Sequence, residues 1–524
     1  MAQPLDPAVL NPPAASPARA SAQLVRALQR RLGAELIETH ISWVLLAGDE
    51  AWKIKKPVRL PFLDFSTLAQ RRHFCDEELR LNRRHAPSIY LGVVAVTGTP
   101  QAPRLGGEGA AIEFALHMRR FAPRALLSER LADGLLQPVQ IDALAQRMAA
   151  LHVRAAVAPP GSAWGSAGAV AAELRDVLQR LHDQHQPVAD LQRWAAAEST
   201  RLTPVWQARQ AGGFVRECHG DLHLRNAVVL VDGPTAFDAI EFDPALRWID
   251  VQSDLAFMAM DLHAHGRSDL AWRFVNAGLD ASGDHAGVAV LRCYTVYRAL
   301  VRAMVGQLHA QMAPEPSADH YLALARRLAL SPPTPRLLVT HGLAGSGKTQ
   351  LTQQLLQTAG ALRLRSDVER KRLFGLAPLD DSPGRVSGGI YGARATQRTY
   401  AALLERARSL LQAGGAVIVD AAFLRRAERA RFARLALELG VPFTLLDCQA
   451  AHDTLRERVR ARRLRRDDAS EADEAVLALQ IDCDQALTAA ERQQALTVQT
   501  DDALDVDDLA RCWLAQGARQ EPQA

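Results

Sequence analysis

The sequence predicts two domains of different fold class, an α+β domain followed by an α/β domain with a parallel sheet. In the first part, short alternating apolar runs between Ile41 and Phe121 indicate strands, and mostly helical periodicity extends from Ile141 to Leu308. A third pattern begins after the Pro-rich stretch SPPTP, where strand-like and helical runs alternate regularly. Such alternation is typical of a parallel sheet with helices on both faces.

The elements of the first part follow in order. SAQLVRALQRRLG predicts a helix, because it begins with a capping Ser and ends at a Gly. ISWVLLAGDEAWKIKKPV alternates about a Gly-Asp turn and predicts a β-hairpin. A charged helix, LAQRRHFCDEELRLNRRHA, and the strands YLGVVAVTG and AIEFALHMRRF come next. A small β-rich lobe therefore precedes a larger helical one.

Domain boundaries follow from length and composition. At 524 residues, the chain exceeds the size at which a single core keeps growing. Its Pro/Ala-rich beginning lacks the basic start and apolar core of a secretory signal, which favours disorder. We expect a disordered lead at 1–20, a first domain at 21–330, a Pro-rich linker at 331–336, a second domain at 337–515 and a disordered tail at 516–524.

Composition argues against several classes of protein. Hydrophobic residues make up 48% of the chain and charged residues 23%. No apolar run approaches the length of about 18 residues that a membrane span needs. The six cysteines form no CxxC pair, which argues against a disulfide framework and a zinc site. A net charge of +4 is too small to predict nucleic acid or an anionic membrane as a partner. We expect a cytoplasmic protein.

Lysine is rare in this chain. Of the 62 basic residues, 57 are arginine and five are lysine, namely Lys53, Lys55, Lys56, Lys348 and Lys371. A compact ammonium and a planar guanidinium are not interchangeable beside a phosphate, so the positions that hold lysine are candidates for function. Three of the five lie within WKIKK. Chance is the alternative explanation for any single one.

The segment GLAGSGKT, residues 342–349, fits the pattern GxxxxGK[ST] and lies between the apolar strand LLVT and a helix. In this pattern, glycines let backbone N–H groups surround phosphates, the lysine reaches the terminal phosphates and the hydroxyl ligates Mg²⁺. The predicted nucleotide-binding residues are Gly342, Gly345, Gly347, Lys348 and Thr349. The second domain is therefore predicted to be a P-loop domain that binds ATP and Mg²⁺.

Two carboxylates follow strands of the second domain. Asp420 ends the run VIVD, where it could hold Mg²⁺ or cap the next helix. Asp367 follows RLRS at the sheet edge where ligands bind. It could orient an acceptor hydroxyl, act as a base or be an N-cap. We favour the metal role for Asp420 and the acceptor role for Asp367.

An arginine-rich stretch follows the strand VPFTLLDC, with seven arginines between Arg456 and Arg466. A solvated helix face is the usual explanation for such a run. The second half as a whole resembles the P-loop kinases of small molecules, such as the gluconate kinase and zeta-toxin types. This resemblance implies an arginine-bearing lid that closes on the transferring phosphate, with Arg458 and Arg462 as candidates.

The segment HGDLHLRN, residues 219–226, contains Asp221 and, five residues later, Asn226; Asp238 lies a further twelve residues on. Phosphoryl transfer can use one Asp to accept the acceptor's proton, an Asn to hold a metal, and a later Asp to bridge the metals to the triphosphate. The two histidines could instead suggest a metal site, but no third ligand accompanies them. We therefore predict Asp221 as catalytic and Asn226 and Asp238 as metal ligands.

This constellation resembles the aminoglycoside phosphotransferase and choline kinase-like superfamily, whose fold is that of protein kinases. The resemblance implies that Lys53, or alternatively Lys55, binds phosphate, and that Glu78 or Glu77 is its ion-pair partner. It further implies that adenine is held near Met118 and that Asp254 supports the catalytic loop.

The chain departs from that family's pattern in two places. No GxGxxG loop lies above the lysine strand, so the cover of the phosphates, around Ser42, is undefined. After Asp238 the sequence continues Ala-Ile-Glu rather than with a glycine. Glu241 could add a carboxylate near the metals or cap a turn.

The order of the halves resembles the bifunctional aminoglycoside phosphotransferase/ATP-binding protein family. It implies an ATP- and Mg²⁺-dependent phosphotransferase acting on a hydroxyl of a small molecule, fused to a second ATP-binding kinase-like domain. The drug in the family's name is not carried over as a substrate. Two alternatives stay open: one half is a nucleotide-binding sensor or scaffold, or the P-loop half is a nucleic-acid end kinase. The acceptors and the oligomeric state do not follow from the sequence.

Overall fold

The computed structural model describes residues 17–60, 63–306, 316–381, 389–465 and 468–516. Most of the predicted lead and tail therefore lies outside the described residues. The chain divides into two compact units, residues 1–132 with 226–247, and residues 133–225 with 248–524. This division does not test the predicted domain boundaries, which stay predictions. Among the described helices, none combines the length and the hydropathy that crossing a bilayer requires.

The first unit begins with a six-stranded antiparallel sheet in the order β1-β2-β3-β8-β6-β7. The elements up to residue 132 are α1 (Pro17–Leu32), β1 (Glu35–Glu38), β2 (Ser42–Ala47), β3 (Glu50–Lys55), β4 (Arg59–Leu60), β5 (Leu63–Asp64), α2 (Leu68–Asn82), β6 (Tyr90–Thr99), β7 (Ala102–Leu105), β8 (Glu113–Arg119) and α3 (Leu127–Ala132). The predicted hairpin is confirmed as the antiparallel pair β2 and β3. Apolar residues of α1, among them Leu24 and Leu28, pack against Trp43 and Ile54 of this sheet.

A helical region and a second hairpin follow. The elements are α4 (Pro138–Arg154), α5 (Ala167–Asp183), α6 (Ala189–Ala211), β9 (Val215–Glu217), β10 (Ala227–Leu230), β11 (Gly233–Ala236), α7 (Pro244–Arg247), β12 (Trp248–Asp250), α8 (Val251–Ala264), α9 (Ser268–Ser282), α10 (Val288–Gly306) and α11 (Ala318–Leu330). The hairpin of β10 and β11, with α7, belongs to the first unit and the other elements to the second. We call residues 133–225, 248–306 and 316–330 the helical region. Its helix α8 is buried along nearly its whole length.

The remainder of the second unit is built on a five-stranded sheet in the order β14-β15-β13-β16-β17, in which all neighbours are parallel. Its elements are β13 (Arg336–His341), α12 (Lys348–Ala359), β14 (Leu362–Arg365), α13 (Ser366–Leu373), α14 (Ala393–Gln412), β15 (Ala416–Asp420), α15 (Arg426–Glu438), β16 (Phe443–Gln449), α16 (His452–Arg465), α17 (Glu474–Cys483), α18 (Ala489–Gln493), β17 (Ala495–Gln499) and α19 (Val506–Ala515). We call this part of the second unit the P-loop region. Its sheet confirms the prediction of a parallel sheet. On one face, α12 and α19 bury an apolar cluster that includes Leu355 and Trp513.

Candidate active sites

The lysine strand of the first unit presents two ammonium groups to one side. Lys53 and Lys55 are two residues apart on β3, and side chains at this spacing share a face of a strand. Lys53 Nζ lies 2.7 Å from Glu78 Oε1 and 2.6 Å from Asp238 Oδ1. Lys55 Nζ lies 2.6 Å from Glu78 Oε2 and also contacts Glu241. Five side chains thus form an alternating row of charges in the order Asp238, Lys53, Glu78, Lys55, Glu241.

Helix α2 supplies the central carboxylate of this charge row. The helix begins with a capping box, in which Thr67 and Gln70 satisfy each other's backbone N–H groups. Glu78 is fully buried and bonds to both lysines, whereas Glu77 pairs with Arg80 at 2.9 Å and with Arg247 at 3.4 Å. The geometry therefore distinguishes the two glutamates. Glu78 is the one that faces β3.

Burial and the neighbouring charges together set the pKa values of Glu78, Glu241 and Lys55. Burial by itself would raise the pKa of the Glu78 carboxyl, but Lys53 and Lys55 hold this pKa at about 2. Burial also raises the pKa of Glu241, although the Lys55 ammonium opposes that shift. For Lys55, burial favours the neutral amine, yet the charges of Glu241 and Glu78 outweigh burial and raise its pKa. The row therefore keeps two cations inside the protein by surrounding them with carboxylates.

The predicted metal ligands lie at one end of the β10–β11 hairpin. Asn226 directly precedes β10, and its carbonyl accepts a hydrogen bond of 3.0 Å from Phe237 N. Asp238 comes next in the chain, and its side chain is 41% exposed. Its backbone is held at φ +62°, a left-handed conformation that is uncommon for a residue with a Cβ atom, while its N–H donates to Tyr90 Oη at 3.0 Å. The hairpin thus brings an amide and an accessible carboxylate to the same end.

The segment HGDLHLRN is held by two carboxylates of α8. Asp254 accepts hydrogen bonds from the N–H groups of His219 and Gly220, both at 2.9 Å. Asp261, seven residues further along the same helix, accepts from Leu224 N at 2.9 Å. Sequence reasoning missed Asp261, although the spacing of seven residues within WIDVQSDLAFMAMDL was a signal for a shared helix face. The segment is therefore fixed near both of its ends.

Asp221 lies between these two fixed points. Its Oδ2 is 3.3 Å from His223 Nε2, and its side chain is 35% exposed. Burial favours the protonated acid, but His223, Arg302 and His219 together lower the pKa of Asp221 below its usual range. Asp221 is therefore ionised at neutral pH.

Met118 lies inside β8, where Ala51 of β3 and Tyr90 of β6 pair with it from the two sides. A residue in the middle of a sheet shares its backbone groups with its neighbouring strands. The predicted role of Met118 in holding adenine stays a prediction.

The P-loop connects β13 to α12 with three glycines in left-handed conformation. Two of them are close to other backbone: a Cβ atom on Gly342 would lie 2.5 Å from the Cys448 carbonyl oxygen, and one on Gly345 2.6 Å from that of Leu455. Lys348 Nζ donates to the carbonyl oxygens of Gly342 at 2.8 Å and Leu343 at 2.7 Å, so the lysine lies along the loop. Burial lowers the pKa of Lys348, while Asp420 and Asp367 oppose that shift. Both predicted carboxylates therefore lie within electrostatic range of this ammonium group.

Neither carboxylate caps a helix in this structure. The N-cap position of α13 is Arg365, with Asp367 in the first turn, and that of α15 is Arg425. Asp420 is buried at the end of β15 and accepts from Thr352 Oγ1 at 3.3 Å, one turn of α12 after Thr349. The capping interpretations of the two residues thus do not apply.

Helix α16 carries the two candidate arginines of the predicted lid. Arg458 donates to Thr500 Oγ1 at 2.9 Å and to the Thr500 carbonyl at 2.7 Å. Arg462 donates to the Ala472 carbonyl at 3.1 Å. A further arginine, Arg365, pairs with Asp468 at 2.9 Å, and its pKa is raised because the carboxylates around it outweigh burial.

Comparisons with known proteins agree with this architecture. The family model described as AAA domain matches residues 337–485. The chain is 32% identical over 435 residues to the Uncharacterized protein Rv2004c of Mycobacterium tuberculosis, and equally to a relative from Mycobacterium bovis. In both cases the match covers 81% of this chain and 85% of the relative.

Solved structures give partial likenesses. A choline/ethanolamine kinase family protein from Mesorhizobium loti is 14% identical, with a TM-score of 0.39, over 59% of this chain and 96% of its own. A putative kinase from Chloroflexus aurantiacus is 21% identical, with a TM-score of 0.29, over 34% of this chain and 96% of its own.

A P-loop domain of the AAA type is the class that the parallel sheet and the matched family model define for the P-loop region. The chain belongs to the same family as its mycobacterial relatives.

Proposed function

We propose that the first domain is an ATP- and Mg²⁺-dependent phosphotransferase that acts on a hydroxyl of a small molecule. The observation that carries the proposal is the bonding of Lys53 to both Glu78 and Asp238. In protein kinases, a strand lysine that is held by a helix glutamate binds the α- and β-phosphates. Lys53 has three donors, so it can keep Glu78 as a partner while it binds phosphate.

The residues at the end of the β10–β11 hairpin fit a magnesium ion. Mg²⁺ prefers oxygen ligands, and the amide of Asn226 and the accessible carboxylate of Asp238 supply them. When bound, the ion would neutralise charge that develops on the transferring phosphate. Asn226 and Asp238 would hold it, and Glu241, which is engaged by Lys55, would stay outside this set.

Asp221 would receive the acceptor hydroxyl. As an ionised carboxylate it can accept a hydrogen bond from the hydroxyl, orient it and take its proton as the phosphoryl group is transferred. Orientation contributes much of the catalysis in such reactions. The bonds from Asp254 and Asp261 to the surrounding backbone support this role, because they restrict the segment that carries Asp221.

We further propose that the P-loop domain is a second ATP-dependent phosphotransferase. Lys348 and Thr349 would bind ATP together with the backbone of the loop, Asp420 would share in binding Mg²⁺, and Asp367 would face the acceptor. Arg458 and Arg462 would neutralise phosphate charge. The proposal is supported by Asp367 and Asp420, which are not the N-caps of α13 and α15 and which oppose the lowering of the Lys348 pKa by burial.

A screen for phosphoryl transfer tests both proposals in the full chain. The wild type and the variants Asp221→Asn and Lys348→Ala are incubated with MgATP and metabolite or antibiotic pools, and products are detected as a mass gain of one phosphoryl group. Each variant should lose a different product. Product formation that Asp221→Asn leaves unchanged would contradict the assignment of the first site. If Lys348→Ala abolishes ATP binding at the P-loop and no product depends on it, that half is a sensor or scaffold.

A further inference from the structure

Within the second unit, one face of α9 in the helical region lies against the P-loop region. Trp272, Asn276 and Asp280 are spaced by four residues and therefore share that face. Trp272 packs against the apolar cluster under α12, and its indole lies beside Gly360, which ends α12 in left-handed conformation. The helical region thus contacts the P-loop region at the end of α12 and the beginning of β14.

Asn276 bonds to the backbone of β14 as a neighbouring strand would. Its Nδ2 donates to the Ala361 carbonyl at 2.9 Å, and its Oδ1 accepts from Arg363 N at 2.7 Å. Residues 361 and 363 lie on the same side of an extended chain, so a single side chain can satisfy both. Among the strands that the structure describes, β14 lies at the edge of its sheet and pairs with β15 alone. The buried amide of Asn276 therefore occupies the edge that would otherwise be open.

The end of α9 contacts α13, which carries Asp367. The Asp280 carbonyl accepts a hydrogen bond from Arg372, and burial raises the pKa of the Asp280 carboxyl while the charges of Arg363 and Arg365 oppose that shift. Beyond the helix, His285 Nε2 lies 4.0 Å from Glu369 Oε1 on α13. Together with the bonds from Asn276, these contacts reach residues from Ala361 to Arg372 of the P-loop region. The contacted residues therefore lie on both sides of Asp367 in the chain.

We infer that the helical region is a structural part of the P-loop site, and that Asn276 is a positioning residue for Asp367 through its bonds to the backbone of residues 361 and 363. β14 has four residues and a single partner strand, so few bonds fix its place. Asp367 follows two residues after its end. The P-loop itself lies on β13 and α12, which keep their own core contacts. Asn276 should therefore affect the acceptor side of the site more than nucleotide binding.

Hydrogen exchange in the full chain tests this inference directly. Asn276→Ala removes both bonds to β14, and we expect the amides of residues 361–367 to exchange at least about tenfold faster than in the wild type. Asn276→Asp keeps an acceptor for Arg363 N but places a buried carboxylate oxygen against the Trp272 and Ala361 carbonyl oxygens, so its effect should be at least as large. Arg273→Gln is the matched control, because Arg273 lies on the same helix and bonds to Gln357 of α12 rather than to β14. In this control, exchange of residues 361–367 should stay within about twofold of the wild type.

Two outcomes would overturn the inference. One is unchanged exchange of residues 361–367 in Asn276→Ala. The other is faster exchange spread equally over β13 and β15, which would mean general destabilisation rather than release of one edge. Both outcomes are observed by hydrogen exchange and do not depend on catalysis.

A kinetic measurement distinguishes a positioning role from a purely structural one. Here the inference rests on the proposed function of the P-loop site. For a product that depends on Lys348, Asn276→Ala should lower kcat about tenfold and leave the KM for ATP within about twofold. An equal loss in Arg273→Gln, or a change confined to the KM for ATP, would contradict the positioning role. If no product depends on Lys348, the proposed function fails, while the exchange experiment still decides the inference.

Discussion

The two candidate sites hold their functional groups in place by different physical means. In the first, a lysine strand and a helix are tied together by the charge row, in which Glu78 bonds to Lys53 and Lys55. In the second, a loop of glycines is placed by close backbone approaches, and its lysine lies on the loop's own carbonyls. The first site should therefore respond most to changes of charge. The second should also respond to the addition of a single Cβ atom.

The largest effect is expected at Asp221. Asp221→Asn keeps the size of the side chain but removes the carboxylate, so turnover at the first site should fall by about 10³-fold. Steady-state kinetics on the first-site product measure this change. Lys348→Ala is the control, because it should leave that product unaffected. A loss of less than tenfold in Asp221→Asn would mean that the proton is taken by another group.

The charge row can be broken at Lys55. Lys55→Met leaves the buried carboxylates of Glu241 and Glu78 with one cation fewer, and should lower the free energy of unfolding by about 3–5 kcal/mol. Urea unfolding of the full chain measures the change. The double variant Lys55→Met/Glu241→Gln should recover part of the loss, because it removes one uncompensated charge. If the double variant is no more stable than the single one, Glu241 is not held by Lys55.

Acid should weaken the first site through Glu78. The pKa of this carboxyl is lowered from 4.5 to about 2 in the folded state, so its contribution to stability is fully present above pH 4.5. It is lost as the pH falls from about 4.5 towards 2, and it amounts to about 3 kcal/mol. Unfolding experiments at pH 6 and pH 3 should show a steeper loss in the wild type than in Glu78→Gln. Parallel losses would indicate that other groups dominate the acid response.

The smallest effect is expected at Gly345 of the P-loop. Gly345→Ala places a Cβ atom 2.6 Å from the Leu455 carbonyl oxygen at a φ of +84°, and we expect ATP to bind to this loop more weakly by about 2 kcal/mol. Gly440→Ala is the matched control, since its φ is +65° but no atom lies within 4 Å of the added Cβ. It should cost about 1 kcal/mol of stability and leave ATP binding unchanged. Calorimetric titration in a Lys53→Met background, in which the first site lacks its proposed phosphate-binding lysine, measures both variants.

Local sequence signals predicted the fold well and the site only in part. The hairpin and the P-loop were predictable because turn residues and apolar strands adjoin each other in the chain. The sequence of the lysine strand could not distinguish Glu77 from Glu78, because the choice depends on which side of α2 faces β3. Asn276 had no local signal at all, since its partner Arg363 is 87 residues away. Contacts of this kind depend on how distant segments pack, which spacing within a motif does not report.

The scarcity of lysine makes this chain well suited to chemical footprinting. Only five side-chain amines are present among 524 residues, and Lys53, Lys55 and Lys348 lie in the two sites described here. Lys371 is buried, with its amine bonded to two backbone carbonyls, and Lys56 pairs with Glu38. Acylating reagents attack the neutral amine, so labelling should favour Lys348, whose pKa burial lowers, over Lys53 and Lys55, whose pKa values rise because the surrounding carboxylates outweigh burial. Acylation followed by peptide mapping would therefore report on the P-loop with little background from other amines, and protection of Lys348 by ATP could be titrated in the full chain.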